Sequence, residues 1–467
     1  MARNSWSGRC APSHWTQSHT MSLKPFALSA LALAGGLFAF NAGAVDAPTP
    51  GAASASAGIA TRGWTETQGG RGGRLIKVTT LAAAGPGSLK EAIEATGPRI
   101  VVFEVGGVID VGGQPLKITQ PFLTLAGQTA PDPGIHILKA ETTISTHDVV
   151  IQHLSFRPGE FGRPKKGGGD QDGISGIGGA HDVIVDHCSF SWATDENLSA
   201  SGPRFEGKTP EDWRQATSHR MTYSHNLIYE GLGNSVHVKG EHSKGSLIHD
   251  NTSGVLIYGN VYASNRQRNA LFKGGAQGAM VSNYIFNPGD RAVHYNLLAN
   301  EWAGQPYQNG RLTLVGNALR HGPSTVAGTP FFTMLGQGDL ELFLADNIAQ
   351  DAQGRPVGLM GSNAQTTGKV IAVQQPTLPP NLPALRPAAA LAQELPPLVG
   401  ARPWARDPLD AKLLADMAQG KGKLIDSEVE NALGYPRHAQ TRRAFKAEDW
   451  NLDDMSPKAG WPALAKP

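Results

Sequence analysis

A short apolar segment recurs along the middle of the chain, each time with two or three apolar residues, a small or polar pair, often an Asn, and another apolar residue. Because these units are rich in β-branched residues and bounded by Gly, Asn and Asp, each is predicted to be a short strand. A strand that repeats once per coil stacks in parallel on its neighbour, so the pattern predicts an all-β solenoid, a parallel β-helix. The copies lie at residues 149–154, 183–188, 221–226, 255–260, 279–284, 312–317 and 342–347.

The uneven spacing of the copies, from 24 to 38 residues, indicates where loops leave the coils. Loops on one flank of a solenoid form its binding groove, and residues 164–169 and 201–214 are the main candidates. Asn226, Asn260, Asn317 and Asn347 share one position of the repeat. We expect them to hydrogen-bond at a corner of the coil, a structural role. His153 and His187 are likewise equivalent and are interpreted as structural.

The repeat fades after about residue 365. Residues 377–397, rich in Pro, Leu and Ala, predict an extended strap, and residues 407–419 and 427–433 predict helices. We therefore expect a β-helix catalytic domain at residues 65–365, followed by a strap and short helical cap at residues 366–467.

The N-terminus has the layout of a secretory signal peptide at residues 21–44. Lys24 precedes an apolar run, which ends in Ala42-Gly43-Ala44. Residues 1–20 are then an upstream extension, and residues 45–64 a flexible mature N-terminus. The mature protein is expected to be secreted or periplasmic, free of the membrane and monomeric; a membrane-anchored N-terminus is the alternative.

Composition narrows the function further. The 467 residues include 57 Gly and 32 Pro but only 17% charged residues, which is typical of a turn-rich β protein. A formal net charge of +2 excludes a strongly electrostatic nucleic-acid binder, while permitting a local basic groove for an anionic sugar polymer. Cys10 would be removed with the leader, so Cys188 would have no partner for an internal disulfide.

Two pairs of acidic residues lie about one coil apart. Asp170 and Asp172 flank Gln171, and Asp195 and Glu196 follow the next strand. Parallel stacking would bring the pairs together, which favours a site for a hard cation with oxygen ligands. Solvated acidic turns explain the same residues equally well.

Basic residues follow in the next coils: His242, Lys244, Arg266, Arg268 and Lys273. Long basic side chains at strand ends of successive coils can converge on one groove, although each alone is more often a solubilising residue. Trp192, beside the acidic pairs, could stack on a sugar ring or fill a loop.

Several motifs, in this order, resemble the bacterial pectate lyases, polysaccharide lyase family 1. These are Gly69-Gly70-Arg71-Gly72-Gly73, Gly87-Ser88-Leu89, Ala126-Gly127-Gln128-Thr129-Ala130-Pro131 and Val185-Asp186-His187-Cys188-Ser189-Phe190-Ser191-Trp192. The stretch at residues 400–404 is similar to a divergent branch of that family. The resemblance implies a right-handed, single-stranded, pectin lyase-like β-helix that cleaves polygalacturonate, or another acidic polysaccharide, by calcium-assisted β-elimination.

The resemblance also implies a ligand set. Asp170 and Asp172 match the paired calcium-binding aspartates, and Asp195 matches the next acidic ligand. Ser199 stands where the family has its last aspartate, so one Ca²⁺ ligand is missing or is replaced by Glu196.

The basic residues take their implied roles from the same family. His242 and Lys244 match its H-x-K, whose lysine contacts the substrate carboxylate, and Arg268 matches the proposed catalytic base. Lys273 stands in place of a second, substrate-binding arginine, and Ala270 replaces a proline. A lysine cannot bind a carboxylate through two parallel hydrogen bonds as a guanidinium does. The resemblance therefore predicts the fold more firmly than it predicts the substrate.

Arginine is an unusual base because its pKa exceeds about 12. Neighbouring cations disfavour its charged form, and the metal would acidify the proton to be removed, so activity should rise toward alkaline pH. A neutral histidine, His242, is the more ordinary alternative.

Two other functions remain open. A polygalacturonase-like β-helical hydrolase needs an acid and a base carboxylate flanking the bond, but the G-H-G and R-I-K segments of that family are absent from the sequence. A non-catalytic polysaccharide-binding β-helix would share the solenoid but has no need of acidic and basic residues in successive coils. The polymer itself, polygalacturonate, methylated pectin or another uronate, is not identified.

Overall fold

A computed structural model describes residues 62–431 and 433–459. The predicted upstream extension and signal peptide, and most of the predicted N-terminal linker, lie outside these residues. Within them, no helix is long and apolar enough to cross a membrane.

Three parallel sheets run along the molecule, and each coil contributes one short strand to each of them. The chain passes from the first sheet to the second, then to the third, and enters the next coil. The first sheet has 11 strands: Arg74–Val78, Arg99–Phe103, Leu123–Ala126, His147–Gln152, His181–Asp186, His219–Ser224, Ser253–Tyr258, Gln277–Val281, Gly310–Val315, Leu340–Ala345 and Val370–Ala372.

The other two sheets are built in the same way. The second contains Val105–Asp110, Ile135–Leu138, Ser155–Arg157, Ser189–Ser191, Leu227–Tyr229, Val261–Ala263, Tyr284–Phe286, Ala318–Arg320 and Ile348–Gln350, with Thr441–Arg442 added antiparallel. The third contains Leu116–Ile118, Thr142–Ile144, Ile174–Gly176, Leu198–Ala200, Leu247–Ile248, Leu271–Lys273, Val293–Leu297, Phe332–Gly336 and Met360–Ser362. The predicted all-β parallel β-helix is thereby confirmed.

Alternation along each strand builds the core. In the first sheet, Val183 pairs with Val149 and Met221, and Val185 pairs with Ile151 and Tyr223. These side chains point inward and are completely buried, because the two-residue period of a strand sends every second side chain into the coil. Apolar side chains therefore stack on one another along the axis. Burial also raises the pKa of the free Cys188 thiol within this core.

The predicted asparagine column lies at the corner between the first and second sheets, which we call the asparagine corner. Asn226 donates through its backbone and side-chain nitrogens to Asn260 Oδ1, at 2.8 and 3.0 Å. Asn260 donates to Asn283 in the same way, and the column continues through Asn317 to Asn347. The predicted structural role is confirmed, and Asn283 fills the coil that the prediction left out.

Short helices cover the solenoid. Ser88 caps the helix Leu89–Glu94, whose apolar side chains join the core beside the first strands of the first and third sheets. The other α-helices are Pro210–Ala216, Leu391–Glu394 and Pro408–Ala418, and the 3₁₀ turns are Gly127–Thr129, Ala299–Glu301, Ala388–Ala390 and Ala447–Asp449. A small antiparallel ribbon joins Trp450–Asn451 to Ser456–Pro457.

The C-terminal tail lies along the outside of the β-helix. Leu378 and Leu382 pack on the outer face of the first sheet, and Leu413 and Met417 pack on the second. The helix predicted at residues 407–419 is present, with Asp407 as its N-cap. The helix predicted at residues 427–433 is wrong: the described residues form turns, in which the Glu428 carboxylate accepts hydrogen bonds from the backbone of Glu160 and Phe161.

A buried ion cluster fixes this tail to the coils. Arg157, on the second sheet, is fully buried and pairs with Asp407 and Asp410 at 3.0 Å each. Ser189 and Tyr229 also donate to Asp410. Removing one partner of such a cluster would leave an uncompensated buried charge, so it holds the helix in one place.

Candidate active site

Charged side chains collect at the corner between the second and third sheets, in turns from five successive coils. The charged corner, as we call it, consists of Glu141, Asp170, Asp172, Asp195, Glu196, Lys244 and Arg268. The register of the coils brings them together. Glu196 pairs with Lys244, Lys244 pairs with Gln267 in the next coil, and Gly173 N donates to Glu196 O at 3.0 Å.

Three carboxylates form the acidic part. One oxygen from each of Asp172, Asp195 and Glu196 lies within 4.8 Å of the others. Asp172 Oδ1 accepts a 3.0 Å hydrogen bond from the backbone nitrogen of Glu196. Asp172 and Glu196 are buried, whereas the Asp195 side chain is 20% exposed, so the cluster opens to solvent on the Asp195 side.

In this acidic part, burial and mutual repulsion both disfavour the ionised form of the carboxyl groups. Burial, and then the charges of Asp195 and Glu141, raise the pKa of Asp172 well above its usual value. Burial, followed by Asp170 and Asp195, also raises the pKa of Glu141. Clustered carboxylates are the donors that a hard divalent cation prefers, and such an ion would relieve their repulsion. The residues present therefore fit Ca²⁺.

Two basic side chains face these acids. Lys244 Nζ lies 3.1 Å from Asp195 Oδ1 and 3.9 Å from Glu196 Oε1, and Arg268 pairs with Glu196. Burial alone would raise the pKa of Asp195, but the charges of Lys244 and Arg268 outweigh it and lower that pKa. Burial lowers the pKa of both Lys244 and Arg268, against the pull of Asp195. With 22% of its side chain exposed, Arg268 can reach a molecule in the groove.

The backbone at Arg268 is held in a conformation that side chains rarely adopt. Its φ is +61°, and such a residue costs about 1–3 kcal/mol unless its surroundings fix it. Ser246 N donates to Arg268 O at 2.6 Å, and Asn269 N donates to Ala292 O at 3.0 Å. Gly245 permits this approach, because a Cβ there would lie 2.5 Å from Arg268 O. These contacts hold the backbone at Arg268 in this conformation.

Two histidines lie behind Asp195. His237 and His242 stack with ring centroids 3.6 Å apart, and their Nε2 atoms lie 3.5 Å from Asp195 Oδ2 and Oδ1. Both are buried. Burial, with Lys244 second, lowers the pKa of His242 to about 4, and burial lowers that of His237. Sequence reasoning missed His237 and Glu141; the only signal was their position in the turns that carry the predicted residues.

The other predicted residues lie apart. Asp170 is exposed at the rim, close enough for its charge to act on Glu141 and His237. Lys273 lies at the far end of its strand, pairing with Glu301 and, at 3.5 Å, with Asp250.

Trp192 is completely buried and packs with Leu232, Leu409 and Ile425. Its ring meets that of Tyr435 edge-on, with centroids 5.4 Å apart. No ring face is available to a sugar, so this environment favours the interpretation that Trp192 fills the loop.

Solved structures share the fold. The thermostable pectate lyase PL 47 aligns over 73% of this chain and 97% of its own, with a TM-score of 0.52 and 14% identity. The cedar pollen allergen jun a 1 aligns over 72% and 90%, with a TM-score of 0.50 and 14% identity. The chain is therefore a parallel β-helix protein, with a charged groove at one corner.

Sequence relatives give the family. A probable pectate lyase C of Neosartorya fischeri is 30% identical over 369 residues, 77% of each chain. Proteins of the same name from Aspergillus terreus and Aspergillus fumigatus are 33% and 32% identical over 258 residues, 55% of this chain. The chain belongs to the pectate lyase family.

The matches cover only part of some relatives. The chain spans about half the length of the two Aspergillus relatives, 52% of each. No protein-family profile matches it. The named relatives are fungal, so they support the family but not the bacterial membership expected from the motifs.

Proposed function

We propose that this protein is a pectate lyase that cleaves α-1,4-polygalacturonate, or a related uronate polymer, by calcium-assisted β-elimination. The observation that carries the proposal is the cluster of Asp172, Asp195 and Glu196, within 4.8 Å, beside Lys244 and Arg268 in a member of this family. The predicted export, by a signal peptide at residues 21–44, would bring the enzyme to an extracytoplasmic polymer.

Asp170, Asp172, Asp195 and Glu196 would hold Ca²⁺. When bound, the ion neutralises the carboxylate of a uronate unit and so acidifies the proton on the adjacent carbon. Glu196 pairs with Arg268 in this structure, so its service as a ligand would leave Arg268 without its closest counter-charge.

Arg268 would remove that proton, and Lys244 would hold the substrate carboxylate. Loss of that proton is followed by cleavage of the C–O bond at the next carbon, which leaves a conjugated double bond on one product. The departing oxygen takes up a proton, from Arg268 or from water, and becomes a hydroxyl on the other product. Burial already lowers the pKa of Arg268, and because its neutral form becomes more populated as pH rises, activity should rise toward alkaline pH. Lys273, one strand length away, would contact another part of the polymer.

The arrangement disfavours an inverting hydrolase. Such an enzyme separates its two carboxyl groups by about 6.5–9.5 Å to admit a water molecule. Asp172 and Asp195 have oxygens within 4.8 Å of each other, so this pair does not match that separation.

The test is the ultraviolet absorbance of polygalacturonate incubated with the purified protein at mildly alkaline pH, with calcium or with chelator. We expect a calcium-dependent rise that disappears in Arg268→Ala. New reducing ends without absorbance would indicate hydrolysis. If neither absorbance nor new reducing ends appear on any uronate polymer, the proposal is contradicted.

A further inference from the structure

The backbone around His242 fixes which of its nitrogens carries the proton. Nδ1 lies 2.8 Å from the carbonyl oxygen of Gly240, which can only accept, so Nδ1 donates. In the neutral ring, Nε2 is then unprotonated. This atom is buried and has no hydrogen-bond partner among the described residues.

His242 Nε2 faces another acceptor, Asp195 Oδ1, at 3.5 Å. Two acceptors that face each other are unfavourable unless a donor or a cation lies between them, and the buried Nε2 has no access to bulk water. Lys244 reaches Asp195 at 3.1 Å but forms no hydrogen bond with the imidazole. The lone pair of His242 is therefore aimed at the cation site without a partner.

His237 contacts the same carboxylate in the opposite tautomer. The backbone nitrogen of Lys239 donates to its Nδ1 at 3.1 Å, so its proton is on Nε2, toward Asp195 Oδ2. Nitrogen cannot both carry that proton and bind a metal. The stacked pair thus contains one imidazole that orients Asp195 and one that offers a free lone pair.

We propose that His242 Nε2 is a nitrogen ligand of the cation held by Asp195, so that this site accepts Mn²⁺, Co²⁺ or Ni²⁺ as well as Ca²⁺. The inference rests on the proposed function in that both use the same cation site. Imidazole suits these transition ions, whereas Ca²⁺ takes oxygen ligands. A cation shared by His242 and Asp195 displaces the Lys244 ammonium group from Asp195 and releases it toward the groove, where the substrate carboxylate is proposed to bind.

A second histidine cluster could also supply nitrogen to a metal ion, so the metal-binding experiment must distinguish it from His242. His187 and His225 both direct Nδ1 toward Asp186, at 2.7 and 3.3 Å. Their rings stack with centroids 4.6 Å apart and planes 15° from parallel, so their remaining lone pairs do not converge on one point. This cluster is the main alternative source of a nitrogen ligand in any metal-binding experiment.

The test uses protein freed of metal by chelator and loaded with one equivalent of Mn²⁺, without polysaccharide. Electron spin echo envelope modulation should detect ¹⁴N coupled to Mn²⁺ in the wild type and in His237→Phe, and should lose it in His242→Phe. Both variants keep an aromatic ring in the stack. Absence of nitrogen coupling in the wild type, meaning that water satisfies His242, overturns the proposal. Coupling that survives in His242→Phe also overturns it, because another histidine is then the ligand.

Calorimetry supplies an independent readout. Ni²⁺ affinity should fall at least about tenfold in His242→Phe, while Ca²⁺ affinity changes less than about threefold. Equal losses for both ions overturn the proposal. His242→Leu replaces His242→Phe if circular dichroism shows the latter unfolded. Calcium-dependent absorbance by the wild type tests lyase function separately: nitrogen coupling without that activity rejects the function alone, and activity without coupling rejects the ligand alone.

Discussion

The two corners that flank the second sheet are built from the same coils in opposite ways. At the asparagine corner, Asn226, Asn260, Asn283, Asn317 and Asn347 occupy five successive coils, and each amide meets the next at 2.9–3.0 Å. At the charged corner the residue type is not the same in every coil. Acids fill the earlier coils, and Lys244 and Arg268 fill the later ones.

The difference teaches where this fold is stabilised and where it is strained. The asparagine corner satisfies buried polar groups, and each satisfied group avoids a penalty of about 1–3 kcal/mol. The charged corner instead brings Asp172 close to like charges and leaves His242 Nε2 without a partner. Such unfavourable local arrangements are typical of functional sites, where a ligand relieves them.

The largest expected effect is on catalysis. Arg268→Lys keeps the positive charge near Glu196 but removes the guanidinium, so we expect lyase activity to fall by about 10²–10⁴-fold. Initial rates of ultraviolet absorbance on polygalacturonate, compared at several alkaline pH values, measure this loss.

Arg291→Lys is the matched control, because Arg291 lies in the next turn of the same corner and donates to Gln267 Oε1 at 3.0 Å. We expect less than about a threefold change in this control. Equal losses in the two variants would mean that positive charge at the corner, rather than Arg268 itself, supports the reaction.

The asparagine corner should respond in stability instead. Asn260→Ala removes the side-chain oxygen that accepts from Asn226 and the side-chain nitrogen that donates to Asn283 Oδ1 and to the Tyr223 carbonyl, so the free energy of unfolding should fall by about 2–4 kcal/mol. Unfolding in denaturant measures the change, and activity per folded molecule should stay the same. Asn347→Ala, at the end of the column, should cost less; an equal cost would argue against a cooperative ladder.

A smaller effect is expected at Glu230, a partly buried acid that lies outside the acidic cluster of the charged corner. Glu230 follows the strand Leu227–Tyr229, and burial raises its pKa from 4.5 to about 7, with the opposing Trp192 hydrogen bond second. Because the folded-state pKa is the higher one, stability from the protonated form is complete below pH 4.5 and is lost as pH rises through 7. Glu230→Gln cannot ionise, so between pH 4 and pH 8 its stability should gain about 1–2 kcal/mol relative to the wild type, which is less than the full pKa shift would give because Glu230 is partly exposed and solvent screens its charge.

Thermal unfolding at the two pH values, in the presence of chelator, measures this gain. Lyase activity of Glu230→Gln at alkaline pH should match that of the wild type, because Glu230 lies beneath Trp192 rather than in the acidic cluster. A parallel pH dependence in the two proteins would show that the Glu230 pKa is the same in the folded and unfolded states.

The sequence predicted the repeating strands of the solenoid and the charged residues at the ends of those strands. The strands and the asparagine column follow from a one-dimensional pattern, because each coil meets only its neighbours. The convergence of Asp172, Asp195 and Lys244 follows from the same register. The family resemblance supplied the roles proposed for these residues and for Arg268, and those roles stay predictions.

Sequence could not predict contacts that depend on loop conformation. The stack of His237 on His242, and the opposite protonation of the two rings, come from local turns at Lys239 and Gly240. The burial of Trp192 depends on Leu409 and Ile425, which lie far along the chain in the tail. The helix wrongly predicted near Glu428 failed for a similar reason, since its carboxylate is used by the backbone of a distant loop.

The smallest expected effect is at Ser199, where this chain departs from the pattern of the pectate lyase family. Ser199 is fully buried beside Asp172, where the family pattern has an aspartate, and its hydroxyl helps to lower the Asp172 pKa. Ser199→Asp adds an oxygen ligand and a negative charge, so Ca²⁺ affinity should rise by about 3–10-fold, roughly 1 kcal/mol. Without Ca²⁺ the added charge should lower the unfolding temperature. Calorimetric titration measures the affinity, and Ser199→Asn, similar in size but neutral, is the control. If neither Asn nor Asp changes Ca²⁺ affinity, position 199 lies outside the reach of the ion, and Glu196 completes the ligand set by itself.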